Sequence, residues 1–385
     1  MQKQKICIIG GSLTGLTTAI SLSKLNCQID LITSNIKKNK DSNRTIAISE
    51  TNLSFLKKLK VFKAKKQQAW PCSVMELYTG GNKGFFSKIF EFKKKQKNIL
   101  YMIKNSVLEK LIIKKIKKTK SISIKRCSNI SEIGTSGLMK SIKVNKKNYK
   151  YNLIIICTGS NSNLVKKNFS NHHISNSYKE MSITTILNHK YFKNNVVRQF
   201  FFKNEILALL PISNNKTSIV WSVKKDIYKI NNTLVKNKIK NYLKNYLKKI
   251  NFTKKIEYKD LNFLIRNKYF KDRILLFGDS LHTIHPFVGQ GFNMTLRDLL
   301  SLEKILFNKT RLGLDIGSSD ILSEFSNETK PRNFVQLIGI NLIKNSFALK
   351  KEPVVKVRNS ILKTLNKSNL AKNLFYNIAD QGVKF

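Results

Sequence analysis

The stretch RILLFGDSLHTIHPFVGQGFNMTLRD, residues 273–298, decides the fold. Its first residues, 273–278, are mostly apolar and predict a buried strand that ends in a turn at Gly278 and Asp279. Ligands of open α/β sheets bind beyond the carboxyl ends of the strands, where Asp279 can accept hydrogen bonds from ligand hydroxyls. The stretch therefore predicts a ligand site at the end of a strand.

The second half of the same stretch is rich in glycine. Gly289 and Gly291 would let backbone N–H groups approach a ligand closely. A helix is predicted to begin near Asn293, and its positive end would favour an anionic group. His282 and His285 form an HxxH pair, but no glutamate accompanies them as in zinc proteases, so no metal site is predicted.

The amino terminus predicts a second ligand-binding turn. Residues 5–10 are expected to form a buried parallel strand, residues 14–25 a helix and residues 29–33 another strand. The turn between the first strand and the helix has the sequence Gly10, Gly11, Ser12, Leu13, Thr14, Gly15. This order is close to the Gly-x-Gly-x-x-Gly fingerprint, whose glycines let the backbone approach the pyrophosphate of a dinucleotide.

Two positions depart from that fingerprint. Ser12 replaces the second glycine and narrows the approach to the phosphates. Thr33 stands where an acidic residue usually binds a ribose hydroxyl, and its own hydroxyl can form that hydrogen bond only without charge assistance. Taken alone, the turn is also compatible with a glycine-rich turn in an unrelated α/β protein.

The sequence of residues 273–298 closely resembles the second FAD-binding motif of the flavoprotein aromatic hydroxylases, GD-x-x-H…P…GQG-x-N. Within this para-hydroxybenzoate hydroxylase-like superfamily, it is most similar to the ubiquinone-biosynthesis hydroxylases. Residues 44–49, RTIAIS, resemble a family strand whose arginine, here Arg44, lies by the flavin. Residues 103–108 resemble the start of a helix that faces the FAD phosphates, with Asn105 where many relatives have arginine.

The resemblance implies FAD as cofactor and a set of residues that bind it. These cofactor-binding residues are Gly10, Gly11, Ser12, Leu13, Thr14, Gly15, Thr33, Arg44, Asn105, Asp279, Pro286, Gly289, Gln290, Gly291, Phe292 and Asn293. The flavin-ring loop is expected to support catalysis through Pro286, Gly289 and Gln290, with no acid or base residue assigned.

The implied activity is that of a monooxygenase that hydroxylates the aromatic ring of a polyprenylated ubiquinone precursor. In relatives, a transient NAD(P)H reduces FAD, and O2 then forms a C4a-hydroperoxyflavin that transfers hydroxyl to the phenol. The implied partners are a polyprenylated phenol or quinol, O2, the membrane surface and a quinone-biosynthesis complex. The ring position that is hydroxylated stays open.

A third motif departs from the family. Relatives carry an Asp-Gly dipeptide that contributes to FAD and NAD(P)H binding, and Thr158-Gly159 stands there in this chain. This departure leaves the choice between NADH and NADPH open. With Ser12 and Thr33, it motivates an alternative, a non-catalytic FAD-binding subunit of a quinone-biosynthesis complex. Another FAD oxidoreductase of the same superfamily is a further alternative.

The predicted fold class is α/β (α+β overall), with a Rossmann-like FAD-binding lobe, a mixed-sheet substrate lobe and a helical C-terminal region. Alternating segments between residues 178 and 223 predict the antiparallel strands, and residues 233–250 predict an amphipathic helix. The predicted domains are a discontinuous FAD-binding domain at 1–70, 96–165 and 265–330, a substrate lobe at 71–95 and 166–264, and a C-terminal region at 331–385.

The formal charge of +50 has two explanations. Lysines are scattered along the whole chain, as codon bias in an AT-rich genome would produce, whereas attraction to anionic lipid is the functional explanation. No module concentrates the charge among aromatic residues, so nucleic acid is not a predicted partner. The five cysteines form no CxxC pair and suit a reducing cytoplasm.

The chain is expected to be cytoplasmic and peripherally associated with the inner (cytoplasmic) membrane. The apolar run from Ile6 carries glycines and lacks a cleavage site, so it is not a signal peptide, and no apolar stretch is long enough to cross a bilayer. An amphipathic helix from Val354 onward either lies on lipid or covers another protein surface. Its apolar residues are Val354, Val357, Ile361, Leu362, Leu365, Leu370, Leu374 and Phe375, flanked by Lys356, Arg358, Lys363, Lys367 and Lys372.

Overall fold

The strands and helices are those of a computed structural model. The structure describes residues 3–34, 42–61, 68–80, 86–93, 97–127, 130, 132–169, 173–202, 205–225, 231–286, 289–348 and 352–382. The strands are β1 (Lys5–Ile9), β2 (Gln28–Thr33), β3 (Thr45–Ser49), β4 (Trp70–Cys72), β5 (Val74–Gly80), β6 (Phe86–Lys93), β7 (Leu100–Lys104), β8 (Ile122–Arg126), β9 (Ile133–Ser136), β10 (Met139–Val144), β11 (Lys147–Tyr151), β12 (Leu153–Ile156), β13 (His173–Asn188), β14 (Val196–Phe201), β15 (Glu205–Ser213), β16 (Lys216–Lys224), β17 (Asn251–Phe252), β18 (Glu257–Arg266), β19 (Phe270–Lys271), β20 (Ile274–Leu276) and β21 (His282–Thr283). The helices are α1 (Leu13–Leu22), α2 (Glu50–Lys58), α3 (Asn105–Ile116), α4 (Asn163–Phe169), α5 (Asn232–Leu243), α6 (Gln290–Arg311), α7 (Ser319–Ala348), α8 (Glu352–Lys367) and α9 (Asn369–Gln381).

A six-stranded sheet forms the first lobe, in the order β19-β20-β12-β1-β2-β8. All neighbours in it are parallel except β19, which pairs antiparallel with β20. The central strands are continuously apolar because both faces of the sheet are covered: Ile8 lies between Ile155 and Leu31 in register. The helix α1 is buried along its whole length against this sheet. The carboxyl ends of β1, β2, β12 and β20 therefore meet at one edge.

A mixed sheet forms the second lobe, in the order β21-β18-β13-β16-β15-β14-β5-β6, with β17 also paired to β13. One face carries Ile183, Trp221 and Leu207 and packs against α5 through Ile239. The other face carries Ala208, Leu210 and Val220, which pack with β3, β4 and β7. The large sheet thus turns one side toward the first lobe and buries the other under a helix.

Two small sheets complete the strands, ordered β11-β10-β9 and β3-β7-β4. The long helices α6 and α7 follow the last strand, and α8 and α9 end the described chain. This arrangement confirms the predicted α/β class, with its mixed sheet and helical C-terminal region. Since α6 packs on the first lobe and α7 reaches the second, the C-terminal helices join the two sheets.

Three predicted helix boundaries were wrong. The helix α6 begins at Gln290 rather than near Asn293, because Gly289 adopts a left-handed conformation (φ 67°) that starts the helix there. The helix α5 ends at Leu243 rather than Ile250, although Leu247 still packs in the same apolar cluster. The helix α1 ends at Leu22, followed by a turn in which Leu25 N–H donates to the Leu22 carbonyl.

The C-terminal segment was predicted as one amphipathic helix with a single apolar face. The structure breaks it at Ser368 into α8 and α9, so that face is not continuous. Leu362 packs inward with Ile89 and Phe201, whereas Val357 and Leu370 are exposed. The predicted contributions of Leu374, Phe375, Lys356 and Lys363 concern side chains outside the described part. In the described chain, no helix combines the length and apolarity needed to cross a membrane.

Candidate functional site

A cavity of about 410 Å³ opens at the edge where the parallel strands end. The turn after β1, the end of β2 and the segment between β12 and α4 surround it. Its lining residues are Ile9, Gly10, Gly11, Ser12, Ile32, Thr33, Ser34, Cys127, Ile130, Cys157, Thr158, Ser162, Asn163 and Leu164. The amino-terminal end of α1 faces this cavity, so unpaired backbone N–H groups are available to an anionic ligand.

The first glycine turn has no room for side chains. Gly10 has a φ of 130°, and a Cβ there would lie 2.7 Å from the Cys157 carbonyl oxygen. A Cβ at Gly15 would overlap the Gly10 carbonyl oxygen, so α1 packs backbone to backbone on the end of β1. Leu13 is buried within the first turn of α1, below the cavity. The turn therefore presents backbone to whatever occupies the cavity.

Thr33 and Ser12, the two departures from the fingerprint, both line the cavity. Thr33 ends β2, is buried, and lines the cavity, and a Cβ at Gly11 would overlap its hydroxyl. Gly11 is therefore needed because Thr33 is close. Ser12 precedes α1 as its N-cap, and its side chain makes no capping hydrogen bond. Both residues line the cavity, where their hydroxyls could form hydrogen bonds with a ribose or a phosphate.

The turn after β20 lies directly beside the first glycine turn. Gly278 (φ 63°) packs on Thr14, whose methyl carbon would lie 2.5 Å from a Cβ at Gly278. The N–H of Gly159 donates to Ser280 Oγ at 3.0 Å, which joins the Thr158-Gly159 turn to the same place. The three motifs that the sequence analysis singled out therefore meet at one site.

Asn293 holds the beginning of α6 against β3 and α2. Its amide N–H group donates to the Ala47 carbonyl at 2.8 Å. Its Oδ1 accepts from the Ser49 N–H at 3.1 Å and from Asn52 Nδ2 at 2.9 Å. The side chain is fully buried, and these partners satisfy it. Asn293 therefore fixes the first turn of α6 against β3 and α2.

The rest of the glycine-rich loop frames the same helix end. Gly289 has little room, since a Cβ there would lie 2.9 Å from Ala47 Cβ. Gln290 is buried and accepts a hydrogen bond from Gln336. Pro286, Gly291 and Phe292 are half-buried. The N–H groups in the first turn of α6, which begins at Gln290, have no partner within the helix and can bind a ligand.

Arg44, Asn105 and Asp279 are not among the residues that line the cavity. Arg44 precedes β3 and is exposed, and its carbonyl accepts from the N–H of Asn105, the first residue of α3. Asp279 is exposed in the turn after β20. Lys259, on β18, lies near enough to feel both charges: desolvation and the Arg44 guanidinium lower the pKa of its amine, and Asp279 partly opposes them. Arg44, Lys259 and Asp279 thus form a group of mixed charge.

The two histidines of the HxxH pair bind different carboxylates. His282 Nε2 lies 3.0 Å from Asp298 Oδ2 in α6, and His285 Nε2 lies 3.1 Å from Glu180 Oε2 in β13. Among the described residues, no group of three or more His, Cys, Asp or Glu side chains is placed to hold a metal ion. The pair therefore connects the loop to two neighbours on different elements.

The sequence analysis did not identify three residues that contact the predicted site residues or their partners. They are Lys259, Glu180 and Lys344, whose Nζ lies 2.9 Å from Glu180 Oε1. With 72 lysines and arginines in the chain, no local pattern distinguishes the two lysines from those that face solvent. Glu180 is one of 22 acidic residues, a scarcity that is the one signal available, because a rare carboxylate inside a predicted strand needs a partner.

Comparisons with known proteins agree with this geometry. A family model described as an FAD binding domain matches residues 3–333. The chain is similar to the mitochondrial ubiquinone biosynthesis monooxygenase COQ6 of Dictyostelium discoideum. The identity is 22% over an alignment of 447 positions, which covers 97% of this chain and 90% of that protein. It is also similar to the ubiquinone hydroxylase UbiL of Rhodospirillum rubrum, with 25% identity over 51% of this chain and 47% of that protein.

Two solved structures share the fold over nearly the whole chain. The p-nitrophenol 4-monooxygenase PnpA from Pseudomonas putida superposes with a TM-score of 0.81 at 13% identity and covers 100% of both chains. Klebsiella pneumoniae HpxO, complexed with FAD and uric acid, superposes with a TM-score of 0.76 at 13% identity and covers 98% of this chain and 97% of that one. At such identities the similarity concerns the fold.

Proposed function

The chain belongs to the FAD binding domain family, and we propose that it is an FAD-dependent monooxygenase that hydroxylates the aromatic ring of a polyprenylated ubiquinone precursor. The similarity over 97% of the chain to a ubiquinone biosynthesis monooxygenase carries the substrate assignment. Dependence on FAD rests on the family and on the site geometry. NAD(P)H and O2 are the co-substrates that this activity requires.

The residues of the site fit FAD. We assign the adenylate half to the cavity beside the first glycine turn, because Gly10 and Gly15 let α1 pack backbone to backbone on β1 and so bring the amino-terminal end of α1 to the cavity. In this proposal, Thr33, which lines the cavity, hydrogen-bonds the adenosine ribose, and Asp279 binds the hydroxyls of the ribityl chain. The proposal assigns the flavin ring to the first turn of α6, between Gly289 and Asn293.

When bound, FAD supplies the redox chemistry: it takes electrons from NAD(P)H and activates dioxygen for insertion of an oxygen atom into the phenol. The protein orients the ring and excludes water from it. The positive end of α6 stabilises negative charge at the pyrimidine edge. Pro286, whose ring restricts the backbone, limits movement of the loop beside it.

The substrate ring is assigned to the face of the large sheet that turns toward the FAD lobe. Residues directly opposite in antiparallel strands project to the same face. Ser182 pairs with Ser222, and Val220 pairs with Ala208, which in turn pairs with Gln199. This face packs toward β3, which also contacts the flavin loop through Ala47. It offers hydroxyl and amide groups within a largely apolar surface, which suits a phenol.

The direct test is reconstitution of the reaction. Purified protein should carry the absorbance of bound flavin and should oxidise NADH or NADPH when a prenylated phenol is presented in detergent micelles. Mass spectrometry should find the phenol with one added oxygen atom. A colourless protein that does not take up micromolar FAD would overturn the assignment. A flavoprotein that never forms the product would favour the non-catalytic subunit, which the departures at Ser12, Thr33 and Thr158 motivate.

A pair of variants shows whether any activity depends on the predicted site. Asp279→Asn removes the carboxylate at the end of β20, so FAD affinity and product formation should both fall. Asp260→Asn is the matched control, because Asp260 is also an exposed aspartate but lies on β18, where its carboxylate pairs with Lys225. Equal behaviour of the two variants would show that Asp279 is not part of the flavin site.

A membrane surface is proposed as the place where the substrate is delivered. Exposed apolar side chains lie on α7 and α8, among them Leu342 (63% exposed) and Val357 (58% exposed). The net charge of +50 favours anionic lipid over neutral lipid. The polyprenyl tail would then reach the protein from the bilayer along these helices.

Sedimentation with vesicles tests this delivery. Binding should be stronger to vesicles that contain phosphatidylserine than to phosphatidylcholine alone, and Leu342→Asp should weaken it. Leu138→Asp serves as control, because Leu138 is 85% exposed but lies in the turn between β9 and β10, on another lobe. Equal loss in both variants would mean that the helices contribute charge only, and no binding would refute the proposal.

A further inference from the structure

A largely buried cluster of charged and aromatic side chains lies where the large sheet, α7 and the loop before α6 meet, with His285 and Lys344 buried and Tyr178 and Glu180 half-buried. Its members are Tyr178, Glu180, His285 and Lys344. They come from β13, from the residue before Pro286 and from the second half of α7. None of them was in the predicted cofactor site, and the cluster connects the substrate lobe to the loop.

The contacts within the cluster form one connected network. Glu180 accepts through Oε2 from His285 at 3.1 Å and through Oε1 from Lys344 Nζ at 2.9 Å. The same Lys344 Nζ lies 3.6 Å from the centre of the Tyr178 ring. The Tyr178 ring meets the His285 ring edge to face, with centres 5.5 Å apart. His285 is 1% exposed and Lys344 is 8% exposed, so solvent does not screen these interactions.

Charge balance determines the state of His285. Burial alone would raise the pKa of the Glu180 carboxyl, but hydrogen bonds from His285 and Lys344 outweigh it and lower that pKa. Burial lowers the pKa of His285, and the Lys344 charge lowers it further. Since Glu180 and Lys344 already neutralise each other, a charged His285 would leave one uncompensated buried charge. His285 is therefore neutral and donates its Nε2–H to Glu180, which leaves Nδ1 as a buried acceptor without a partner.

We infer that Glu180 and Lys344 are positioning residues for the flavin loop, acting through His285 on Pro286; this inference rests on the proposed function. His282, in β21, contacts Asp298 in α6. The residues on either side of the loop are thus held on α6 by His282, on β3 by Asn293 and on β13 by His285. Because Pro286 follows His285 directly, anchoring the imidazole on Glu180 restricts the backbone that leads into Pro286, the residue assigned to the flavin ring.

A matched control exists in the same sheet. Glu205 also binds a lysine, Lys238, at 2.9 Å, but on the opposite face of the sheet, under α5. Glu180→Gln and Glu205→Gln therefore remove the same kind of charge from equivalent ion pairs at different distances from the loop. A purely structural role predicts similar losses of stability in both variants and no difference in the bound flavin.

The test compares both variants as flavin-loaded protein. In Glu180→Gln, the visible absorbance of bound FAD should shift, and kcat should fall about tenfold with a smaller change in KM, because loop geometry affects the reacting complex more than binding. Glu205→Gln should keep the wild-type spectrum and kcat. Equal spectra and kcat in the two variants, or equal changes in both, would overturn the inference. The spectral shift is measured without substrate. It therefore tests the inference even if the protein binds FAD but does not hydroxylate a phenol.

Lys344→Met supplies a second readout if Glu180→Gln does not accumulate. Without the lysine charge, His285 should hold its proton more strongly, and the acid limb of the pH profile of the flavin spectrum should move up by about one unit. The groups that act on the cluster are Tyr178 and Glu180 from β13, Lys344 from α7 and, through Lys344, Lys224 from β16. An unchanged acid limb would contradict the inference, and the double variant Glu180→Gln/Lys344→Met, which removes both charges, should return the limb toward the wild-type position.

Discussion

The two halves of the proposed FAD site are built by different means. The adenylate half, around Gly10 and Gly15, is shaped by backbone packed against backbone, with contacts between residues close in sequence or on adjacent strands. The ring half, around Gly289 and Asn293, is shaped by side-chain hydrogen bonds to residues more than 240 positions away. The first half follows from glycines at the right spacing, whereas the second exists only when distant elements have docked.

Because of this difference, substitutions in the two halves should have different effects on ligand binding and stability. A side chain added in the adenylate half overlaps backbone that cannot move, so binding should be lost outright. Removing a polar side chain in the ring half leaves buried groups unpaired, so stability should fall while the adenylate cavity persists. Affinity for ADP reports the first half alone, and affinity for FAD reports both.

The largest effect is expected from Gly15→Val. Its Cβ would overlap the Gly10 carbonyl oxygen and separate α1 from β1, so FAD and ADP affinities should both fall more than about 1000-fold. Equilibrium dialysis with both ligands measures this. Gly339→Ala is the control, since no atom lies within 4 Å of a Cβ there. Retention of ADP binding by Gly15→Val would show that the glycine turn does not grip the adenylate half.

Asn293→Leu should give the next largest effect. It leaves the Ala47 carbonyl, the Ser49 N–H and the Asn52 amide without their partner, at a cost of about 3 kcal/mol in the free energy of unfolding. Urea unfolding measures this cost. ADP affinity should stay at the wild-type level while FAD affinity falls. Equal losses for the two ligands would mean that the halves are not separable.

Thr33→Ala tests a single hydroxyl of the adenylate half. Loss of one neutral hydrogen bond to the ribose should weaken ADP and FAD about fivefold each, without a change in the flavin spectrum. Titration by fluorescence or calorimetry is sufficient. Thr135→Ala is the control, because Thr135 is the exposed residue of strand β9. Unchanged affinities would assign the Thr33 hydroxyl to packing against Gly11 only.

The smallest effect is expected on acidification. Burial holds the pKa of His285 below its usual 6.5, so the unfolded chain binds more protons than the folded chain below that pH. Stability should therefore be constant above about pH 6.5 with respect to this group and fall as the pH decreases to the folded pKa. His285→Asn should lose less stability than the wild type between about pH 7 and 5.5. His189, whose pKa burial also lowers, contributes equally in both proteins. The same slope in both would show that His285 does not titrate with unfolding.

Much of the fold could be predicted because its signals are local. The apolar strands β1, β2 and β12 and the turns after β1 and β20 were recognised from runs of four to six residues. The start of α6 was missed by three positions because a left-handed Gly289 can begin a helix as readily as end a loop. The C-terminal helix was predicted as one piece because the break at Ser368 carries no glycine or proline.

The sequence by itself determined the glycine turn between β1 and α1, the strand that leads into residues 278–293 and the resemblance to flavin hydroxylases. These features depend on residue types at fixed short spacings, where backbone geometry leaves few alternatives. Only the tertiary structure decided that Asn293 reaches β3, that the two histidines bind different carboxylates and that Glu180 pairs with Lys344. Such contacts join residues that are far apart along the chain, and their energies depend on burial that exists only after both sheets and α7 have packed together.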